Sequence, residues 1–318
     1  MVIEKPEQII DKLIKFKEDG AQRGQPIGFK SFDEIYSFKL GTCTDISGYP
    51  YMGKSLFAKE ICLNLSKAYN HKGFYYMPDD GSNAEVISHF IQKLTGKPFN
   101  KLYGSQPSNE EIELHLTWLL KRSAFYERDY KAKRLKPADF YQMTVDYGAK
   151  FGLVDSWNYL DHGGKITTDY LAHILSLRNE MAEQNNVHFF QIIHPRNPNG
   201  NDYNTEGTLK RPGVYNMMNG SEWNNNGKNL IFIHKDSKDS IRYDIYIDKT
   251  KPRSVGSMGV VQLAHDLKNQ CFYTEYTNPH NSMDRRTYAF DKVVDDNSKF
   301  DWNKNVVLQA ERSAVDPF

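Results

Sequence analysis

Ile9, Ile10, Leu13, Ile14 and Phe16 recur at three- and four-residue steps among lysines and acids, a spacing that predicts a short amphipathic helix over residues 5–20. Residues 19–28, richer in Gly and Gln, read as a linker. A strand-like segment follows over 42–47, then a glycine-containing turn at 48–54 and a helical pattern over 55–69. The rhythm continues with a strand at 73–77 and a helix across 82–95. Helices over 109–122, 137–149 and 167–185 are interleaved with apolar strands at 151–155 and 187–193. Such alternation predicts an α/β domain whose mostly parallel sheet is covered by helices on both faces.

After His194 the texture changes. Residues 195–227 are dominated by Asn, Gly, Pro and isolated basic residues, which predicts a long loop, a length that is uncommon unless it has a task. Strand patterns resume at 229–234, 241–248, 259–264 and 271–275, close enough to form C-terminal β-hairpins at the edge of the sheet. From Tyr276 onward the chain turns polar and Asn/Asp-rich, which reads as a tail or partner-binding segment. The expected organisation is therefore an N-terminal linker helix over 1–25, one large domain over 26–275, and a tail over 276–318. No repeat of fixed period is evident.

Composition narrows the class. The 318 residues are ample for a real core, and no apolar run approaches the length of ~20 residues that a membrane span needs. Met1 to Pro6 turns polar at once, so no secretory start is expected. Three cysteines, Cys43, Cys62 and Cys271, are odd in number and lack any CxxC pairing, which argues for a reducing compartment and against a zinc site. Together these features lead to the expectation of a cytoplasmic protein with no membrane partner. With 41 basic against 40 acidic side chains, no global field recommends a nucleic-acid partner, so any such contact must be made by local loops.

One motif carries chemistry. Gly48-Tyr49-Pro50-Tyr51-Met52-Gly53-Lys54-Ser55 fits GxxxxGK[ST], the P-loop, between a strand and a helix as its mechanism requires. Glycines let successive N–H groups turn inward, and the positive end of the helix adds to an anion site. Lys54 would reach the β and γ phosphates of a nucleotide, ATP in the simplest reading, and Ser55 would ligate Mg²⁺, with Leu56 continuing the nucleotide-binding turn. Phe151 to Asp155 is an apolar run ending in a carboxylate, the Walker B pattern, and Asp155 is the second magnesium residue, expected on a strand neighbouring the first. Asp79 and Asp80 follow the strand at 73–77 and would reach the carboxyl edge of the sheet, as a base for the attacking water or as a turn capping the helix near Ser82. His194 ends another strand, where it would sense the γ-phosphate or merely face solvent.

These residues resemble the RecA-type ATPase domain of ring helicases, the group of phage primase-helicases, Twinkle and, more distantly, DnaB. The resemblance covers about residues 26–275. It rests on Gly28-Phe29-Lys30-Ser31-Phe32-Asp33, the P-loop, Met77-Pro78-Asp79-Asp80, and Val154-Asp155-Ser156-Trp157-Asn158. It continues through His194-Pro195-Arg196-Asn197-Pro198, Gly220-Ser221-Glu222-Trp223, and Lys251-Pro252-Arg253 with Gly256 and Gly259. The resemblance implies a doubly wound RecA-like domain that hydrolyses ATP with Mg²⁺ in a homo-oligomeric, hexameric ring and translocates on single-stranded DNA. The setting it implies is a bacterial or phage-infected cytoplasm. By position, Asp79 matches the catalytic acid, His194 the phosphate sensor and Arg253 the arginine finger supplied to the neighbouring subunit, with Lys251 assisting. On residues alone, Lys251 and Arg253 equally fit a solvated hairpin turn. A finger acting in trans makes physical sense, because a fixed guanidinium stabilises the transferring phosphoryl group and ties hydrolysis to an interface. The loop over 196–221 matches the channel loop that touches DNA, and Arg196, Lys210 and Arg211 suit phosphate contact without base reading; they also fit an ordinary surface loop.

Departures from the family pattern are definite. The base position holds Asp79 where Glu is usual, so the backbone comes closer, Asp80 substitutes, or hydrolysis is slow. The acid usual after GSxx is replaced by Asn224-Asn225-Asn226-Gly227-Lys228. No primase or zinc-binding segment precedes the motifs, so priming is not expected of this chain, and the partners that come into question are a separate primase or other replication proteins. Two other readings stay open: a filament-forming recombination or accessory ATPase, and a degenerate DNA-binding scaffold.

Overall fold

The computed structural model describes residues 6–20, 23–127, 134–237, 239–278 and 281–289. Helices α1 (Pro6–Asp19) and α2 (Lys30–Ile35) precede β1 (Cys43–Ser47), α3 (Lys54–Tyr69), β2 (Gly73–Tyr76), α4 (Asn83–Thr95) and α5 (Asn109–Arg122). Next come β3 (Ser123–Phe125), α6 (Pro137–Asp146), β4 (Phe151–Val154), α7 (Thr168–Asn185), β5 (His188–Ile193) and α8 (Gly220–Asn226). The chain then runs through β6 (Asn229–His234), β7 (Arg242–Lys249), β8 (Gly259–His265), β9 (Phe272–Asn278) and β10 (Asn281–Tyr288).

Among the described residues, ten strands join one sheet in the order β10-β9-β8-β7-β6-β1-β5-β4-β2-β3. From β6 to β3 the pairing is parallel, and from β6 outward to β10 it is antiparallel. The parallel strands are apolar on both faces because both are covered. Ile46, Tyr75, Leu153, Phe190 and Ile231 join a core with Phe57 and Ile61 of α3, Phe90 of α4 and Leu119 of α5. Their strand neighbours Cys43, Tyr76, Val154, Phe189 and Leu230 join a second core with Phe140 of α6, Leu171 and Leu175 of α7, and Trp223 of α8. This is the doubly wound α/β sandwich that the sequence alternation leads one to expect.

Local signals set the helix starts. Ser82 accepts from Glu85 N while the Glu85 side chain returns to Ser82, a capping box that starts α4. The cap is therefore Ser82, and Asp79 and Asp80 remain available for other work. Within the sheet, Asp45 of β1 is paired with Arg178 of α7, both fully buried, and Arg178 also donates to Gln191 of β5. Gln191 in turn donates to the Tyr141 hydroxyl at 2.6 Å, so the charged end of the guanidinium is tied into a chain of acceptors across the sheet.

Three features differ from the sequence expectation. The stretch over 195–227 is not wholly loop: α8 forms within it because Trp223, 1% exposed, packs edge-on against Trp157 at 5.1 Å. Its GSEWNNN sequence has poor helix propensity and a single apolar anchor, so no periodicity announces it. The polar segment from 276 continues as strand, through the end of β9 and into β10, with Arg286 opposite Glu275 and Thr287 opposite Thr274. Backbone pairing at a sheet edge needs no apolar alternation there. The rest of the expected tail, 290–318, lies outside the described residues. Finally, β3 adds a three-residue edge strand too short to leave a pattern.

Helix α1 packs least of all. Ile10, Leu13 and Phe16 on its apolar stripe are 54–61% exposed. Among the described residues, no helix is long and apolar enough to cross a membrane.

Candidate nucleotide site

The site forms at the carboxyl edge of the parallel strands, where β1 ends at Ser47 and the chain curls into α3. Two glycines are required there by geometry. A Cβ on Gly48 would lie 2.5 Å from the Ile233 carbonyl oxygen of β6. Gly53 has φ +81°, and a Cβ on it would meet the Tyr243 ring at 2.3 Å. Between them Tyr51 also takes a left-handed conformation, φ +67°, at the exposed tip of the loop. The loop is thus held against β6 and β7 and opens into the N-terminus of a sixteen-residue helix.

Lys54 is buried and its Nζ donates to the Tyr49 carbonyl at 3.0 Å. Burial pulls its pKa down to about 8, against the pull of Asp155 and Asp79, which favour the charged form. Asp155 follows β4 and is 2% exposed. Burial first and Asp80 second push its carboxyl up to about 7, while Ser55, Lys59 and Lys54 oppose the rise. Leu56, the next residue of α3, packs its half-buried side chain against the core. Asp79 follows β2, and its N–H donates to the Asp155 carbonyl at 3.4 Å. His194, at the end of β5, places Nε2 3.2 Å from Asp79 Oδ2, and its N–H donates to Asn158 Oδ1 at 3.1 Å. Burial and the Lys54 charge lower the His194 pKa, with Asp79 opposing.

The structure therefore brings Gly48, Gly53, Lys54, Ser55, Asp79, Asp155 and His194 together. One placement differs from expectation: Asp155 is not on a strand next to β1, because β5 lies between β1 and β4. The connection through α7 carries β5 back into that gap, so His194, at the end of β5, falls between the strands that lead to the P-loop and to Asp155. Ligand atoms of Asp79, Asp155 and His194 lie within 4.8 Å of one another. Asp155 Oδ2 is buried without a hydrogen-bond partner among the described residues, facing the region of the Ser55 hydroxyl. Hard oxygen donors of this kind fit Mg²⁺, and a magnesium ion there would neutralise phosphate charge.

Lys251 and Arg253 lie elsewhere. They occupy the exposed turn between β7 and β8, and Lys251 N donates to Asn229 Oδ1 at 3.0 Å. Asn229 begins β6, whereas the P-loop abuts Ile233 near its other end, so the turn is at the opposite edge of the sheet from this chain's own Lys54. The three basic residues of the 196–221 segment are engaged internally. Arg196 holds Asp202 with two bonds of 2.6 and 3.0 Å, and Arg211 holds Asp248 at 2.8 and 2.9 Å while lying over the Tyr246 ring. Lys210 Nζ donates to the Asn201 carbonyl at 3.1 Å. Asn158, which holds His194, stands in the Val154–Asn158 motif but is given no role there, and Lys59, which holds Asp80, is missed altogether by sequence reasoning; only the fold brings the two to the site.

A doubly wound sheet with a P-loop on its central strand and four antiparallel strands at one edge defines a RecA-like P-loop ATPase fold. Comparison with known proteins agrees. The chain is similar to the Twinkle homolog protein, chloroplastic/mitochondrial, of Arabidopsis thaliana, 23% identical over 268 residues that cover 78% of this chain. Those residues make up 36% of that protein, so the chain spans about a third of the curated relative it matches. Among solved structures, one described as an ATPase domain matches with a TM-score of 0.69 at 16% identity, over 85% of this chain and 99% of that one. A structure described as a DnaB-like replicative helicase and its interactions with primase gives 0.66 at 15% identity, over 85% and 67%. The RadB recombinase gives 0.50 at 17% identity, over 77% and 97%. No family model matches the chain.

Proposed function

We propose that the chain is the motor domain of a replicative ring helicase, which hydrolyses ATP with Mg²⁺ at interfaces between subunits and translocates on single-stranded DNA. The observation that carries the reading is the convergence of Lys54, Ser55, Asp155, Asp79 and His194 at one edge of the sheet. Lys54 would leave the Tyr49 carbonyl for the β and γ phosphates, Ser55 and Asp155 would hold the metal, and Asp79 would accept the proton of the attacking water. His194, hydrogen-bonded to that base and followed directly by the 196–221 segment, would report the γ-phosphate to the DNA-contacting loop. Tyr49 supports this coupling, since its buried hydroxyl lies near enough to Arg196 and Asp202 to feel both charges.

The distance of Arg253 from its own P-loop supports a finger given in trans, with subunits head to tail; six copies close the ring in the resemblance. The uncovered apolar stripe of α1 supports a linker helix that docks on the adjacent subunit. Residues 26–288 then form the ATPase domain, acting in a cytoplasmic setting with a separate primase. The test is ATP turnover and strand displacement by wild type and Lys54→Ala. Loss of both in the variant is expected, and turnover at the wild-type rate would refute the site. The weaker likeness to a recombinase keeps one rival specific: strand exchange without strand displacement would favour it.

A further inference from the structure

Beside the proposed site lies a second group of charges, built from α3, the turn after β2, and α4. Lys59 Nζ, on a side chain 1% exposed, is 2.8 Å from Asp80 Oδ2 and 2.8 Å from His89 Nδ1. An ammonium only donates, so both partners accept, which fixes His89 as the tautomer carrying its proton on Nε2. Burial and the Lys59 charge hold the His89 pKa down at about 4, so the imidazole is a neutral acceptor at neutral pH. Asp80 is close enough to Asp155 to act on its charge, while Asp79, one residue earlier, reaches the other way to His194. Two successive carboxylates in one turn are thus sent to different partners.

We propose that Lys59, steadied by His89, is a positioning residue that holds Asp80 out of the reaction and leaves Asp79 as the single carboxylate facing the γ-phosphate position. This rests on the nucleotide-site reading above. The physical reason is crowding: Asp79, Asp80 and Asp155 are three acids around one pocket, and an uncompensated Asp80 would compete for the metal and for Lys54. A buried cation that is committed to Asp80 removes that competitor without removing the turn that carries Asp79. It also accounts for two adjacent aspartates where the family pattern has one glutamate.

The experiment is steady-state ATP hydrolysis by the full chain with Mg²⁺, comparing Lys59→Met, Lys59→Arg, Asp80→Asn and the double variant Lys59→Met/Asp80→Asn. Lys54→Ala and Asp79→Asn serve as controls. Asp79→Asn should lower kcat about 100-fold or more, as loss of a general base does. Lys59→Met should lower kcat about tenfold with the KM for ATP moving less than about threefold, a coupling of the size found between contacting residues. Lys59→Arg should retain most turnover. Asp80→Asn should stay within about threefold of wild type, and the double variant should return to the Asp80→Asn level, because the harm in Lys59→Met is the released charge. The proposal is overturned if Asp80→Asn loses as much as Asp79→Asn, if Lys59→Met is indistinguishable from wild type, or if the double variant is no better than Lys59→Met. Wild-type turnover by Lys54→Ala would instead sink the nucleotide-site reading, and this proposal with it.

Discussion

Lys54 Nζ rests 3.0 Å from the carbonyl of Tyr49, so the cation that a triphosphate would need is held within its own loop. Burial lowers its pKa from 10.5 to about 8, and the sign of the consequence is fixed. Between about pH 8 and 10.5 the unfolded chain binds the proton more tightly than the folded one, so the contribution of Lys54 to stability rises with pH across that window. A bound polyphosphate would favour the charged form again. Nucleotide binding at pH 8.5 is therefore expected to take up protons, and calorimetric titration in two buffers of different ionisation enthalpy would read the uptake directly. Lys54→Met should abolish it.

A second prediction concerns the core beneath the site. Asp45 and Arg178 are both fully buried and paired, with Gln191 adding a further acceptor for the guanidinium. Arg178→Met would strand the Asp45 carboxylate among apolar side chains, a loss of about 3–5 kcal/mol for a buried pair broken on one side. The double change Asp45→Leu/Arg178→Met removes both charges and should cost far less. Urea unfolding midpoints for the two variants would show the difference; equal losses would mean that the pair acts by shape and not by charge.

What is legible in the chain follows from how each feature is written in it. The P-loop, the strand ending in Asp155 and the strand ending in His194 are local patterns, and the fold places all three at one sheet edge. Strand order is not local: nothing in the residues says that β5 inserts between β1 and β4, because that depends on which way the crossover through α7 turns. Lys59 is likewise silent in sequence, a lysine on a helix like many others, until folding buries it between Asp80 and His89. Helix α8 and strand β10 are hidden by polar composition, one anchored by Trp223 alone and the other by backbone pairing at an edge. Arg196 and Arg211 are legible as charges but not as ion pairs, since Asp248, on β7, approaches Arg211 from outside the segment.

The opposite-edge location of Arg253 makes a mixing experiment informative. If Arg253 serves the P-loop of a neighbour, Lys54→Ala and Arg253→Ala subunits are each inactive alone. A 1:1 mixture would still form some interfaces in which an intact Lys54 faces an intact Arg253, about a quarter of them for random head-to-tail assembly. ATP turnover is expected to reappear on mixing, in proportion to those interfaces. No recovery, in mixtures shown by light scattering to co-assemble, would contradict the shared site.

The last prediction turns on the pairing of Arg196 with Asp202, at 2.6 and 3.0 Å. If Arg196 is a phosphate contact, that ion pair competes with DNA, since one guanidinium cannot give its paired donors to both anions. Asp202 also accepts from Asn199 N and from Asn216, so it organises the segment as well as occupying the arginine. Asp202→Asn keeps the size and a hydrogen-bonding side chain while removing the charge, and so separates the two effects. Single-strand affinity should rise at low salt, and the slope of log affinity against log salt should steepen by about one phosphate contact, roughly 0.7 for a single strand. Arg196→Ala should show the opposite change, and the double variant should resemble Arg196→Ala. Fluorescence anisotropy on a labelled oligothymidine over a range of salt would measure all three. If Asp202→Asn leaves both affinity and slope as they were, Arg196 is a structural clasp of the segment and the DNA contact lies elsewhere.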